Sequence, residues 1–269
     1  SGLDFVLRQY DAPLATVEQL ARAHNRDYID RVFKMAPQKG SVEIDDDTVM
    51  SVGTLDAALR ASGAGVFGVD LIMKKEASSV FCSVRPPGHH AERAKSMGFC
   101  LFNNIAIAAA HALEEYNFER VAIVDFDVHH GNGTEDIFKD DERVLFCSSF
   151  QHPFYPFTGH ASDTKNLVDV PLSAATKSAE FRQAITEHWL PALNDFKPQF
   201  IFISAGFDAH ILDDMSSLQL VESDYSWITK ELRAIADKHA NGRILSTLEG
   251  GYEPSALGRS VISHLNALF

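Results

Sequence analysis

Cysteine is scarce in this chain: Cys82, Cys100 and Cys147 are its three, each in an apolar segment without a nearby partner. Such spacing supports neither a disulfide framework nor a zinc ribbon, and it points to a reducing, cytoplasmic setting. Long hydrophobic runs are also lacking; none approaches the ~18 residues of a membrane span, and the opening "SGLDFVLRQYDAPLAT" lacks the charged start and apolar run of a secretory signal. Positive charge is in deficit: 24 Lys and Arg stand against 37 Asp and Glu, a net charge of −13, which argues against a nucleic-acid partner and suits a cationic substrate. Internal repeats, low-complexity tracts and long linkers are missing too, so the 269 residues read as one domain. Hydrophobic residues make up 45% and charged residues 23%, enough apolar content for a sizeable core.

What is present is an alternation. A capping box, Thr16-x-x-Gln19, opens a helical pattern carried by Val17, Leu20, Tyr28, Ile29 and Val32, with a break near Asn25. Residues 53–73 read as a second helix. Apolar runs follow at 79–84, 120–126, 143–148, 199–205 and 243–249, interleaved with helices predicted at 102–116, 133–139, 179–195, 223–240 and from Pro254. Short β-branched runs alternating with amphipathic helices, without hairpin signals between them, predict an α/β fold: a mainly parallel sheet flanked by helices on both faces.

Polar clusters sit where those runs end. "RPPGHH" follows Val84, "DFDVHHG" closes the next run, and "GFDAH" and "LEGGY" close two more. Ligand crevices of open parallel sheets lie at the carboxyl ends of the strands, so all four clusters can converge on one site. Asp125, Asp127 and His129 alternate, which in extended backbone points them to one side. Asp127 and His129 are apt ligands for a divalent metal, Asp208 can supply a third, and Asp125 is placed to orient an imidazole. A satisfied polar turn explains Asp-x-Asp-x-His about equally well when the motif stands alone. His89 and His90 follow a stiff Pro-Pro-Gly turn and could share the work of general base and electrostatic helper; alone they would read as loop histidines. Tyr252, after Gly250 and Gly251, could reach a developing oxyanion, or simply pack. Phe99 and Tyr155 could wall an apolar slot, or belong to the core.

In this order, "RPPGHH", "GFCLFNN", "DFDVHHGNGTEDIF", "SAGFDAH" and "LEGGY" resemble the zinc-dependent histone deacetylase family, with its arginase-like fold, from about residue 12 to the end. Asn132, where class I members have aspartate, makes the chain most similar to class II and bacterial deacetylase-like amidohydrolases. The resemblance implies that Asp127, His129 and Asp208 bind one catalytic Zn2+. It implies that His90, paired toward Asn132, is general base and then acid, that His89 is its electrostatic partner held by Asp125, and that Tyr252 donates to the oxyanion as water attacks an acetyl carbonyl. It further implies a structural K+ near Asp125, Asp127, His129 and Ser148, a second near Phe138, Asp141 and Val144, and a channel lined by Gly98, Phe99, Tyr155 and Met215. A strand and a proline-rich loop are expected N-terminal to Ser1, so residues 1–269 read as a deacetylase catalytic domain without that segment.

Departures accompany the matches. The loop "HPFYPFTGHASDTKN" has Phe157 where many relatives have glycine and Tyr155 where many have phenylalanine. Met215, in "ILDDMSS", stands near where polyamine-specialised relatives carry a glutamate. The leading expectation is a zinc amidohydrolase that removes acetyl groups from lysine side chains of proteins or peptides, with a small acetylated amine such as an acetylpolyamine as the alternative substrate. A noncatalytic acyl-lysine binding protein is disfavoured because His89, His90, Tyr252 and the three metal ligands are all present. A two-manganese ureohydrolase would need more carboxylates at the strand ends, and an inert α/β protein would need five coincident motifs. Oligomeric state is not legible.

Overall fold

The computed structural model describes residues 2–159 and 164–269. After a 3-10 turn at Leu3–Phe5, the Thr16 capping box forms as expected and starts α1 (Val17–Leu20), with the Gln19 amide oxygen accepting from the Thr16 N–H at 2.9 Å. Asn25, in extended backbone and without a side-chain capping bond, precedes α2 (Arg26–Met35), whose buried face is Tyr28, Ile29 and Val32. Two short strands, β1 (Ser41–Glu43) and β2 (Val49–Ser51), then pair antiparallel. Sequence periodicity missed this hairpin, because three residues per strand cannot display a two-residue period. Its loop is held by Asp45, whose Oδ1 accepts from the N–H groups of Asp47 and Thr48.

Apart from β6, the remaining chain alternates as the sequence predicts: α3 (Thr54–Met73), β3 (Ser79–Cys82), α4 (Asn104–Glu115), β4 (Val121–Asp125), α5 (Asn132–Phe138), β5 (Val144–Gln151), β6 (Leu167–Leu172), α6 (Ser178–Phe196), β7 (Ile201–Ala205), α7 (Glu222–His239), β8 (Ile244–Leu248) and α8 (Pro254–Leu268). Strands β3 to β8 form one parallel six-stranded sheet in the order β3-β8-β7-β4-β5-β6. β6 was not foreseen, and β5 runs three residues past its expected end because Ser149, Phe150 and Gln151 pair with it. Pro171 hides β6 in the sequence; a proline is tolerated there because β6 is an edge strand.

Side-chain alternation along the strands divides the core in two. Val121 and Ile123 of β4, with Phe146, Phe202 and Leu245, pack under α2, α3 and α4. Ala122 and Val124, with Leu145, Ile201 and Ile203, pack under α6, α7 and α8. Helices on both faces thus confirm the predicted architecture. At the carboxyl end the register aligns Cys82, Thr247, Ser204, Asp125, Ser148 and Asp169 in one row across the sheet. Every member of that row is small or polar, so it forms a polar floor at the strand ends, although Phe126, Val128 and Leu248 beyond it still pack in the core. β3, β8, β7 and β4 are consecutive neighbours, which brings the four polar clusters of the sequence to one place.

Candidate active site and metal centre

β4 ends at Asp125, and the backbone beyond it bends. The extended alternation expected through His129 is therefore not what gathers these side chains. Asp125 Oδ1 accepts from the Asp127 N–H at 3.1 Å, and Asp127 Oδ1 accepts from the His129 N–H at 2.9 Å, so two successive carboxylate-capped turns curl the segment. Asp127 and His129 still meet, with His129 Nδ1 3.0 Å from Asp127 Oδ1. Asp208, just beyond β7, reaches the same point: its Oδ2 lies 3.3 Å from His129 Nδ1, while its Oδ1 accepts from the Val128 N–H at 3.0 Å.

Both carboxylates are wholly buried, and Asp208 Oδ2 forms no hydrogen bond. Burial and the neighbouring Asp127 charge raise the Asp208 pKa, while the two carboxylates in turn raise that of His129 against its burial, so positive charge is drawn to this point. Ligands about 2.05 Å from a tetrahedral Zn2+ are separated by roughly 3.3 Å, which is the spacing of this set. Two glycines make the close approach feasible: a Cβ on Gly206 would collide with Asp127, and one on Gly250 with both aspartates. A histidine and two carboxylates around an unsatisfied, buried oxygen fit a divalent cation.

Beside them, the rings of His89 and His90 lie 4.0 Å apart and are held differently. His89 Nδ1 is 2.9 Å from Asp125 Oδ2, and His89 is also near Asp127; against burial, these two charges hold its pKa well above the usual value. His90 Nδ1 donates to Asn132 Oδ1 at 2.7 Å, an orientation set because Asn132 Nδ2 donates to Glu92 Oε1 at 2.9 Å. Burial, followed by the charges of His89 and His129, pushes the His90 pKa well below its usual value. An amide oxygen cannot stabilise an imidazolium as a carboxylate does. These environments favour the neutral form of His90, with its Nε2 lone pair free, and the cationic form of His89.

Above these groups opens a cavity of about 260 Å³, lined among others by His89, His90, His129, Gly98, Phe99, Tyr155, Met215 and Tyr252. All four expected channel residues are brought together there. Gly98 crosses the His90 ring so closely that a Cβ would overlap it, and its φ of 58° falls in the left-handed region. Tyr252 is pinned from three sides: its N–H donates to Asp213 Oδ2 at 2.6 Å, the Arg85 guanidinium lies 5.6 Å from its ring, and Phe99 packs edge-on at 6.2 Å. Burial, with Asp208 and Asp127 nearby, raises the Tyr252 pKa, so its hydroxyl keeps its proton. Phe157 points outward, 69% exposed, and does not line the cavity. His160–Asp163 of that loop lie outside the described residues.

Four contributors went unread in the sequence. Phe154 stacks on His129 at 5.4 Å and lines the cavity beside Tyr155. Asp47, in the β1–β2 loop, accepts from the Tyr155 hydroxyl at 2.8 Å and from the Gly98 N–H at 2.9 Å, fixing two walls. Glu249 carries its signal in "LEGGY" itself: its Oε2 accepts from the N–H groups of Gly88 and His89, its Oε1 from Ser204, and burial raises its pKa to about 7. Asp213 shapes the Tyr252 turn as described.

The two expected K+ positions differ. Ser148 lies opposite Asp125 in the register, and its buried hydroxyl forms no hydrogen bond, which leaves its oxygen available to a hard cation. At the second, the carbonyl oxygens of Phe138, Asp141 and Val144 do converge, but on Asn166 Nδ2, at 2.9, 3.2 and 3.2 Å. An amide donor takes the place expected for the cation.

Comparison with known proteins agrees with this fold. The histone deacetylase domain matches residues 3–268. A probable deacetylase of Archaeoglobus fulgidus is 41% identical over 244 residues, covering 88% of this chain and 67% of that protein. A histone deacetylase-like amidohydrolase of Pseudomonas aeruginosa is 34% identical over 278 residues, covering 100% of this chain and 73% of that protein. The chain spans only 14% of the type-2 histone deacetylase 2 of Dictyostelium discoideum, at 43% identity. The crystal structure of the HDA15 HD domain superposes with a TM-score of 0.91 at 33% identity, covering 96% of this chain and 74% of that one.

Proposed function

The chain belongs to the histone deacetylase family, and from that premise we propose that it is a zinc-dependent amidohydrolase that removes acetyl groups from lysine side chains of proteins or peptides. The observation that carries this reading is the convergence of Asp127, His129 and Asp208 beneath a cavity flanked by two histidines held differently, His89 by the Asp125 carboxylate and His90 by the Asn132 amide oxygen. Bound there, Zn2+ would supply Lewis acidity, polarising an acyl carbonyl and acidifying water.

The chain's own groups would do the rest. His90 Nε2 takes a proton from the attacking water, while Asn132 holds the opposite ring nitrogen in its donor state. His89, kept cationic by Asp125, stabilises negative charge developing beside it. The Tyr252 hydroxyl donates to the carbonyl oxygen as it gains charge. His90 then returns its proton to the departing amine, and acetate and a free lysine amine result. Phe154, Tyr155 and Phe99 give an aliphatic stem an apolar wall. Ser148, opposite Asp125, supports a structural K+ beneath the site. Three buried free cysteines suit a reducing, cytoplasmic compartment.

Asp47 favours a second reading, because a carboxylate lining the cavity suits a small cationic acetylated amine such as an acetylpolyamine. Met215 in the same lining, an uncharged thioether, weighs toward the peptide. Acetate release from an acetyl-lysine peptide and from an acetylpolyamine, each with and without a chelator, tests both. Chelator-sensitive turnover of the peptide is expected; preference for the polyamine would replace the first reading by the second, and no release from either would refute both.

A further inference from the structure

We propose that His130, Glu135 and Asp169 form a second divalent-cation site, separate from Asp127, His129 and Asp208. His130 follows the bend after β4, Glu135 sits in the first turn of α5 and Asp169 on β6. His130 Nε2 lies 2.9 Å from Glu135 Oε2 and 3.5 Å from Asp169 Oδ1, and one ligand atom from each residue falls within 4.8 Å of the others. These separations bracket the roughly 3.3 Å expected between ligands of a tetrahedral first-row metal. They also parallel the 3.0 and 3.3 Å found around His129.

The donor atoms are unsatisfied. The His130 side chain is 1% exposed and that of Asp169 10%, yet His130 Nε2, Glu135 Oε2 and both Asp169 carboxylate oxygens form no hydrogen bond. At 2.9 Å the His130 and Glu135 atoms are close enough for one but are out of alignment, so a proton on Nε2 would not point at the oxygen. Against burial, both carboxylates raise the His130 pKa, so the cluster attracts positive charge, and with no proton aligned between the three groups a cation between them would satisfy all the lone pairs at once. The other ring nitrogen is already in use: Nδ1 pairs with Thr158 Oγ1 at 2.8 Å, which leaves Nε2 as the ligand. Phe150, 4.7 Å away, and Gly159, whose Cβ would overlap the ring, hold the imidazole in this orientation.

One histidine nitrogen and two carboxylates suit Zn2+ or a similar first-row ion. Thr158 belongs to the loop that carries Phe154 and Tyr155, so an ion here would tie that loop to α5 and β6. Its role is structural: it fixes a wall of the cavity and leaves the chemistry to the other cluster.

The test is zinc stoichiometry. Chain stripped with a chelator, reloaded with Zn2+ and freed of excess by gel filtration should hold about two equivalents by elemental analysis. Asp169→Asn and Glu135→Gln should each lower this to about one, and so should Asp208→Asn; the Asp208→Asn/Asp169→Asn pair should bind essentially none. The melting temperature of Asp208→Asn should still rise with added Zn2+, and that rise should vanish in the pair. One equivalent in the wild type that Asp208→Asn abolishes, or two equivalents retained by both folded Asp169→Asn and Glu135→Gln, would overturn the site. Because Asp208→Asn probes the first cluster alone, failure of the second site leaves the deacetylase reading standing, and the converse holds.

Discussion

His129 and His130 are chain neighbours with the same side chain, yet they enter two different clusters. His129 meets Asp127 and Asp208 at the foot of a cavity; His130 meets Glu135 and Asp169 beneath a loop anchored by Thr158. Each set contributes one imidazole and two carboxylates at similar separations. What differs is the space beside them: the first set borders about 260 Å³ of cavity with His90 and Tyr252 at hand, while the second is packed by Phe150 and Gly159. Ligand type alone does not make a reactive centre; an open position and adjoining proton donors and acceptors do.

The largest expected effect comes from dismantling the open cluster. Asp208→Ala should abolish zinc binding there and reduce acetate release to the chelated background; full turnover with zinc still held by Asp127 and His129 would dissolve the contrast. His90→Ala should keep its metal content and lose roughly a hundred- to ten-thousand-fold in turnover. Its companion Asn132→Asp, which puts a carboxylate beside the imidazole, should raise the His90 pKa and move the acid limb of the pH–rate profile to higher pH; an unmoved limb would remove His90 as the base. Tyr252→Phe should cost roughly a hundred- to thousand-fold with zinc affinity unchanged, and a loss confined to KM would make it a binding group only.

A pH prediction lies outside both clusters. His24 Nδ1 donates to the Glu92 carbonyl at 2.9 Å and its Nε2 accepts from the Asn103 N–H at 2.9 Å, so the ring is locked neutral; burial brings its pKa down to about 4. His264, between Thr229 and Ser246, is pushed down to about 3 by burial. Since the unfolded chain binds these protons first, stability present above about pH 6.5 is lost as pH falls toward 4, by about 3 kcal/mol for His24. Urea midpoints between pH 7 and 5 should show it, and His24→Asn should flatten the slope; an unaltered slope would exclude His24 as a source. The smallest effect is that of Asp169→Asn on acetate release: turnover should survive largely intact while zinc content falls, and a loss as deep as that of Asp208→Ala would erase the distinction between the clusters.

Sequence periodicity placed the five helices from Gly53 to His239 within two residues of both ends, and the start of the last at Pro254, because each is long enough to show an apolar stripe or begins beside a motif. It missed β1, β2 and β6, where two strands are three residues long and the third holds Pro171. The metal ligands and the paired histidines were legible because their residue types are costly to bury without partners. Phe154, Asp47, Glu249 and Asp213 were not, since an aromatic or acidic residue in a loop is ordinary until its neighbours are known. The second cluster was equally silent: His130, Glu135 and Asp169 come from a bend, a helix and an edge strand that periodicity did not detect.

The sequence by itself determined the alternating architecture, the chemical types gathered at the strand ends and the family to which the chain belongs, because these follow from local periodicity and residue identity. Only the tertiary structure decided that β3, β8, β7 and β4 stand side by side, that burial and the His89 charge lower the His90 pKa while, against burial, Asp125 raises that of His89, and that an amide nitrogen of Asn166 fills the cage of three carbonyls. Strand order, protonation and occupancy depend on distances between residues remote in the chain. Electrostatic and hydrogen-bond energies are set by those distances and by burial, and neither is written in any local stretch of sequence.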